Sequence, residues 1–140
     1  MELLMNWALP IALGMMPVAA AAAAVTPAER AAIVASATQA AARELKLEAA
    51  RLRLMPEQLK RQSDWAFLTA KLQTPAGQRF DYAGTDRHEA AQAGAVSDLC
   101  AALLRREGAA WKLVDIAVGP TDVAWEAWAT THKAPAELFR

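Results

Sequence analysis

One carboxylate in this sequence, Asp115, interrupts an apolar run and could take part in acid–base chemistry. The run Trp111–Val118 (WKLVDIAV) has the composition of a β-strand. Strict alternation puts Asp115 on one face with Trp111, Leu113 and Ala117, and puts Val114, Ile116 and Val118 on the other. A carboxylate in an apolar pocket can hold and pass on a proton, as a general base does. A structural carboxylate at the rim of the sheet, bonded to an arginine or a tryptophan, is the alternative.

The string GPTDVAW contains the next candidates. The Gly-Pro pair at 119–120 predicts a sharp corner, and Thr121 or Asp122 is expected to cap a short final helix. Trp125 and Trp128 are three residues apart and therefore share one face of that helix. Asp122, Trp125 and Trp128 are predicted to bind a ligand or a partner, with a core anchor as the alternative role for the tryptophans.

An acid and a phenol, Asp81 and Tyr82, lie next to each other in a segment predicted to be a loop. In an extended chain their side chains point to opposite sides, which does not favour a shared catalytic role. Both are predicted to contact a ligand or a partner.

The residue types that usually hold metals or act as nucleophiles give little signal. His88 and His132 are the only histidines, and neither stands at the spacing of a common metal site, so no metal ligand and no cofactor are predicted. Cys100, in a predicted strand, is expected to be buried, with an intermolecular disulfide as the alternative. The sequence lacks GxSxG, HExxH and a glycine-rich phosphate loop, which argues against a hydrolase or nucleotide enzyme.

Composition narrows the class of protein. The 140 residues carry 15 Lys and Arg against 15 Asp and Glu, and 55% are hydrophobic. Balanced charge does not favour a nucleic-acid partner, and this apolar content excludes a disordered chain. A single cysteine cannot form an internal disulfide. The length suits one domain.

The first 24 residues are predicted to be a secretory signal peptide. Residues 1–24 hold one charged side chain, Glu2, and end in small residues that suit cleavage before Val25. The lack of Lys and Arg departs from the usual pattern, and a retained anchor or a cytoplasmic helix are the alternatives. We therefore expect a periplasmic or secreted protein with one domain over 25–140, which meets the membrane only through the signal segment.

The elements of that domain predict an α+β fold. A capping box at Thr26–Glu29 starts a long helix that is expected to end near Glu48. Strands are expected at 51–54, 65–73, 98–106 and 111–118, with Pro56 ending the first and 57–64 forming a polar connection. Residues 78–97 are expected to be irregular, with one short helix. The expected architecture is one long N-terminal helix packed on a four-stranded antiparallel sheet, followed by a short C-terminal helix, as in the cystatin and NTF2-like folds.

The strands are apolar on both faces, so the second face must also be covered. The final helix, a lipophilic ligand or another subunit could each cover it. A homodimer is one arrangement that would do so.

The strings WAFL, DYAGT, GPTDVAW and APAELF resemble a group of small exported proteobacterial proteins of uncharacterised function. The resemblance spans about residues 50–139 and implies export and an α+β domain, without an active site, cofactor or ligand. The QxVxG loop of papain-inhibiting cystatins is absent, so protease inhibition is not implied.

We therefore expect a non-catalytic domain of the cell envelope that binds a protein partner or a small apolar ligand. The alternatives are an NTF2-like enzyme with Asp115 as the general base and a structural component of the envelope.

Overall fold

The first helix begins at its predicted cap in the structure, a computed structural model that describes residues 24–140. Helix α1 spans Pro27–Glu44, and the hydroxyl oxygen of its N-cap Thr26 accepts a hydrogen bond from the Glu29 backbone N–H at 3.1 Å. The Glu29 carboxylate reaches back to the cap, where its Oε1 accepts from the Thr26 hydroxyl at 3.4 Å, while its Oε2 lies 2.8 Å from Arg61 Nη1. The helix ends four residues before the predicted Glu48, and Lys46 just beyond it has a left-handed φ of +57°.

Four antiparallel strands form one sheet in the order β1-β2-β3-β4. The strands are β1 (Arg53–Gln62), β2 (Trp65–Gln73), β3 (Leu99–Glu107) and β4 (Ala110–Val118). Two short helices, α2 (His88–Gln92) and α3 (Trp128–His132), lie outside the sheet, as do 3-10 turns at Ala49–Arg51 and Ala136–Phe139. The α+β class and the four-stranded antiparallel sheet are confirmed.

The expectation that Pro56 ends the first strand is wrong. Strand β1 continues to Gln62 and pairs with β2 along its length, with a shift of register between Pro56 and Gln58. Strand β1 is an edge strand, where the missing N–H of a proline is tolerated. Residues 57–64 were predicted to be a polar connection. They are polar because most of them belong to β1, at the edge of the sheet.

A β-bulge in β4 overturns the predicted alternation around Asp115. Leu104 pairs with Leu113 and Leu103 with Asp115, which leaves Val114 as the extra residue. Trp111 and Leu113 therefore face α1, whereas Val114 and Ala117 pack on the opposite side of the sheet with Leu103, the cross-strand partner of Asp115. The prediction that Asp115 shares a face with Trp111 and Leu113 is wrong for this reason.

Both faces of the sheet are covered by the chain itself. On one face, alanines and large apolar residues of α1 pack on the strands, with Ile33, Ala37, Ala41 and Leu45 all buried. Small side chains let the helix approach the sheet closely. The other face carries a second cluster of Phe67, Ala101 and Leu103 under Trp128, Ala134 and Leu138 of the C-terminal segment. The second face was expected to be covered by the final helix, by a lipophilic ligand or by another subunit. In the structure, the C-terminal segment covers it.

Side chains of the two edge strands of the sheet meet, and both edge strands are irregular. The guanidinium carbon of Arg61 on β1 lies 5.8 Å from the ring centre of Trp111 on β4, although the two strands are at opposite edges. The register shift after Pro56 and the bulge at Val114 interrupt the two edge strands. Such irregularities hinder a second chain from extending a sheet.

The predicted signal segment lies outside the described residues, apart from Ala24 at its end. Within residues 24–140, no helix combines the length and the apolar character needed to cross a membrane.

Candidate functional site

The carboxylate of Asp115 is paired with a histidine from the C-terminal segment. Asp115 Oδ2 lies 2.7 Å from Nε2 of His132, and Oδ1 accepts the backbone N–H of Ile116 at 2.8 Å. The Asp115 side chain is 37% exposed. Both oxygens therefore have partners, and the carboxylate does not face an apolar pocket. The geometry is that of a structural carboxylate, although its partner is His132 and not the expected arginine or tryptophan, and the pair ties α3 to β4.

The second group of predicted residues divides between core and solvent. Trp128 is 7% exposed and meets the Phe67 ring edge-on with the ring centres 6.2 Å apart, while Trp125 is half-buried with its ring centre 5.9 Å from that of Phe67. Asp122 is exposed in a bend. The expected cap is wrong: α3 begins at Trp128, and its N-cap residue Ala127 provides no side-chain hydrogen bond. The tryptophans act as core anchors, and burial leaves Trp128 little surface for a partner.

The loop that contains Asp81 and Tyr82 adopts a strained backbone. Asp81 is exposed and Tyr82 is buried, so the two side chains point apart, although Tyr82 is not in an extended conformation. Tyr82 has a φ of +64°, which is rare for a bulky residue. Two hydrogen bonds hold this turn: Asp81 Oδ1 accepts the Ala83 N–H at 3.0 Å, and the Thr85 hydroxyl donates to the Tyr82 carbonyl at 2.7 Å. Strain of this kind persists where the surroundings fix it and occurs preferentially at binding sites.

The Tyr82 hydroxyl is fixed at the end of the sheet. It donates to the Ser97 carbonyl at 2.5 Å, and the Ser97 hydroxyl donates to the Pro120 carbonyl. Gly119 lies against this junction, where an added Cβ would be 2.7 Å from the Tyr82 hydroxyl oxygen. Burial raises the pKa of Tyr82 to about 12. The phenol is therefore a structural donor at neutral pH.

A cavity of about 280 Å³ opens beside this junction, and we call it the Tyr82 pocket. Its lining combines apolar and polar side chains from the loop, from α2 and from the segment before β3. They are Arg79, Phe80, Asp81, Tyr82, His88, Ala91, Gln92, Val96, Ser97 and Asp98. Pockets for drug-sized ligands are somewhat larger, at roughly 300–1,000 Å³, so this one suits a smaller molecule.

Charged groups surround the pocket in pairs. Asp98 Oδ2 lies 3.5 Å from Arg79 Nε, and Asp98 Oδ1 lies 3.3 Å from Lys71 Nζ. His88 contacts the Asp81 carbonyl through Nδ1 at 3.1 Å and the Gln92 amide nitrogen through Nε2 at 3.1 Å. Because a carbonyl only accepts, Nδ1 carries the proton in its contact with Asp81.

Comparison with protein-family models, with curated proteins and with solved structures gives no match.

Most of the pocket residues were not identified from the sequence. The i,i+4 spacing of His88 and Gln92 was a usable signal for a pair on one helix face. Arg79 and Asp98 are distant in sequence and meet only because the 72–80 segment folds back on itself, with the Phe80 N–H donating to the Leu72 carbonyl at 3.2 Å. No local pattern predicts that contact.

The remaining chemical candidates do not form a site in the described part of the chain. Among residues 24–140, no group of three or more His, Cys, Asp or Glu side chains could hold a metal ion. Cys100 is 1% exposed in β3, and burial raises the pKa of its thiol to about 12. Its expected burial is confirmed, and the intermolecular disulfide is sterically disfavoured.

Proposed function

We propose that this protein is an exported, non-catalytic binding domain of the cell envelope that takes a small ligand in the Tyr82 pocket. The pocket is a concave site with convergent polar groups beside a strained loop, and it includes the two loop residues predicted from the sequence, Asp81 and Tyr82. Such concavity with a few oriented polar groups is typical of ligand sites. This is the observation that carries the proposal.

A non-catalytic role agrees with the surroundings of Asp115, the candidate general base. An NTF2-like enzyme would need Asp115 in an apolar cavity, whereas its carboxylate is paired with His132 and the nearby sheet face is covered by the C-terminal segment. We propose a cystatin-like or NTF2-like plan for the fold because the long helix α1 packs on one face of a four-stranded antiparallel sheet. Membership of the small exported proteobacterial group remains part of the proposal, on the strings GPTDVAW and APAELF.

Binding can be tested by NMR chemical-shift perturbation on the full chain. A panel of small neutral, anionic, cationic and zwitterionic compounds is expected to shift backbone resonances of 79–82 and of α2, and to leave those around Phe67 unchanged. Ala91→Phe, which places a ring in the pocket, should abolish the shifts. Ala93→Phe, at an exposed position outside the pocket lining, is the matched control. If no member of the panel shifts these resonances, the proposed function is wrong.

Export can be tested separately by cell fractionation and intact-mass measurement. Processing at the predicted site gives a periplasmic or secreted chain that starts at Val25. A full-length chain found only in the cytoplasm would contradict the proposal of export.

A further inference from the structure

Two opposite charges stand on the rim of the Tyr82 pocket. Burial alternates along the segment 79–82: Arg79 and Asp81 are exposed, while Phe80 and Tyr82 are buried. Both side chains line the pocket, so the guanidinium and the carboxylate stand on its solvent side.

Each of these two groups keeps hydrogen-bonding capacity for a ligand. Arg79 is 74% exposed, and its only ion pair in the described chain is the 3.5 Å contact of Nε with Asp98, so the terminal nitrogens remain open. Asp81 uses Oδ1 for the Ala83 N–H. Among residues 24–140, Oδ2 of Asp81 accepts no hydrogen bond.

The charges around the pocket balance. Arg79 in the lining and Lys71, which pairs with Asp98 from outside it, are opposed by Asp81 and Asp98. A balanced site offers little net attraction to a simple anion or cation. It is complementary to a molecule that carries both signs, since each charge of the ligand then meets the opposite charge.

The inner wall of the pocket is apolar. Ala91 and Val96 line it, together with the buried ring of Phe80. A ligand with one small hydrocarbon group could place that group against this wall, and the volume limits it to a small molecule.

We propose that the Tyr82 pocket binds a small zwitterion with an apolar side chain, of the α-amino-acid class. Its carboxylate pairs with Arg79, its ammonium with Asp81, and its side chain packs on Ala91 and Val96. This inference rests on the proposed function and specifies the ligand class of the same site.

The test compares each zwitterion with its two singly charged derivatives. Alanine, valine, leucine and methionine are titrated into the full chain by NMR, alongside their methyl esters, which keep only the ammonium, and their N-acetyl derivatives, which keep only the carboxylate. Each derivative lacks one of the two charged hydrogen bonds, and the typical strength of such a bond corresponds to about a tenfold change in affinity. We therefore expect at least one amino acid to bind about tenfold tighter than either derivative.

Variants of Arg79 and Asp81 test which charge of the ligand each of these residues binds. Arg79→Gln should weaken binding of the amino acid and of its N-acetyl derivative but not of the ester. Asp81→Asn keeps the side-chain oxygen that holds the turn, and it should weaken binding of the amino acid and of the ester only. Arg30→Gln and Asp86→Asn, at exposed positions outside the pocket lining, are the matched controls and should leave all three affinities unchanged.

The outcomes separate this inference from the proposed function. If derivatives or neutral compounds shift the pocket resonances as readily as the amino acids do, the zwitterion class is wrong and the binding site stands. If no compound of any class shifts them, both are wrong.

Discussion

Gly119 should be the least replaceable glycine of the described chain, because it lies against the Tyr82 hydroxyl. It has a φ of +74°, and a Cβ at this position would meet the Tyr82 hydroxyl oxygen at 2.7 Å, the Ser97 carbonyl oxygen at 3.2 Å and the Val96 Cβ at 3.2 Å. A real Cβ does not approach an oxygen at 2.7 Å. Gly119→Ala must therefore displace the phenol that holds the loop to the sheet.

The size of the effect follows from two contributions. A non-glycine residue in the left-handed region costs roughly 1–2 kcal/mol. Breaking the bond between Tyr82 and the part-buried Ser97 carbonyl leaves that acceptor without its partner, for about 1–3 kcal/mol more. We expect Gly119→Ala to lower the free energy of unfolding by ~2–5 kcal/mol. Gly94 has the same φ of +74° with no atom within 4 Å of the added Cβ, so Gly94→Ala should show only the backbone contribution.

Urea unfolding followed by tryptophan fluorescence measures both variants on the full chain. Tyr82→Phe removes the oxygen nearest to the new methyl group, so Gly119→Ala should cost about 1 kcal/mol less in the Tyr82→Phe background than in the wild type. Equal losses for Gly119→Ala and Gly94→Ala, together with strict additivity in the double variant, would refute the reasoning.

Four further predictions concern the rest of the molecule. Phe67→Ala should lower the free energy of unfolding by ~3–5 kcal/mol in urea titrations, because the ring is 2% exposed under the C-terminal segment; a loss below about 1 kcal/mol would show that the segment does not cover the sheet. Ultraviolet titration should give the Tyr82 phenol a pKa of about 12, and its contribution to stability should be intact below pH ~10 and decrease as pH rises to about 12; ionisation near pH 10 in the folded protein would contradict this. The Cys100 thiol should resist a colorimetric thiol reagent until the chain is unfolded, and rapid labelling of the native protein would disprove its burial. Asp115→Asn should change stability by less than about 1 kcal/mol in thermal unfolding, because the pair with His132 is partly exposed; a several-fold larger loss would show that it is a buried determinant of the fold.

The elements that the sequence predicts well are those with strong local patterns. Strand β2 and the β3–β4 hairpin follow from apolar runs separated by turn residues, and the start of α1 follows from Thr26, Pro27 and Glu29. Helix α3 ends at His132, and Pro135 shortly after it cannot continue a helix. These are short-range preferences, and local sequence is enough to express them.

The errors arise where tertiary context prevails over local preference. Pro56 stays in a strand because β1 is an edge. The bulge at Val114 depends on pairing with β3, so alternation within β4 alone assigned Asp115 to the wrong face. Thr121 and Asp122 lie in bends instead of capping a helix, while Trp125 and Trp128 cover the sheet.

In the candidate site, too, some residues could be predicted from the sequence and others could not. Asp81 and Tyr82 were identifiable as an acid and a phenol in a loop. Their pocket is completed by Asp98 and by α2, which meet them only in the folded chain. Composition could not predict that this pocket combines charges of both signs.

The position of a bound probe tests the central claim most directly. A second concavity of about 530 Å³, lined in part by Leu59 and Leu138, offers an alternative location. Intermolecular nuclear Overhauser effects between the full chain and the compound of the panel that causes the largest chemical-shift changes are expected at the methyl groups of Ala91 and Val96. Contacts with Leu59 and Leu138 instead, or no contact with either set, would contradict the assignment of the Tyr82 pocket as the binding site.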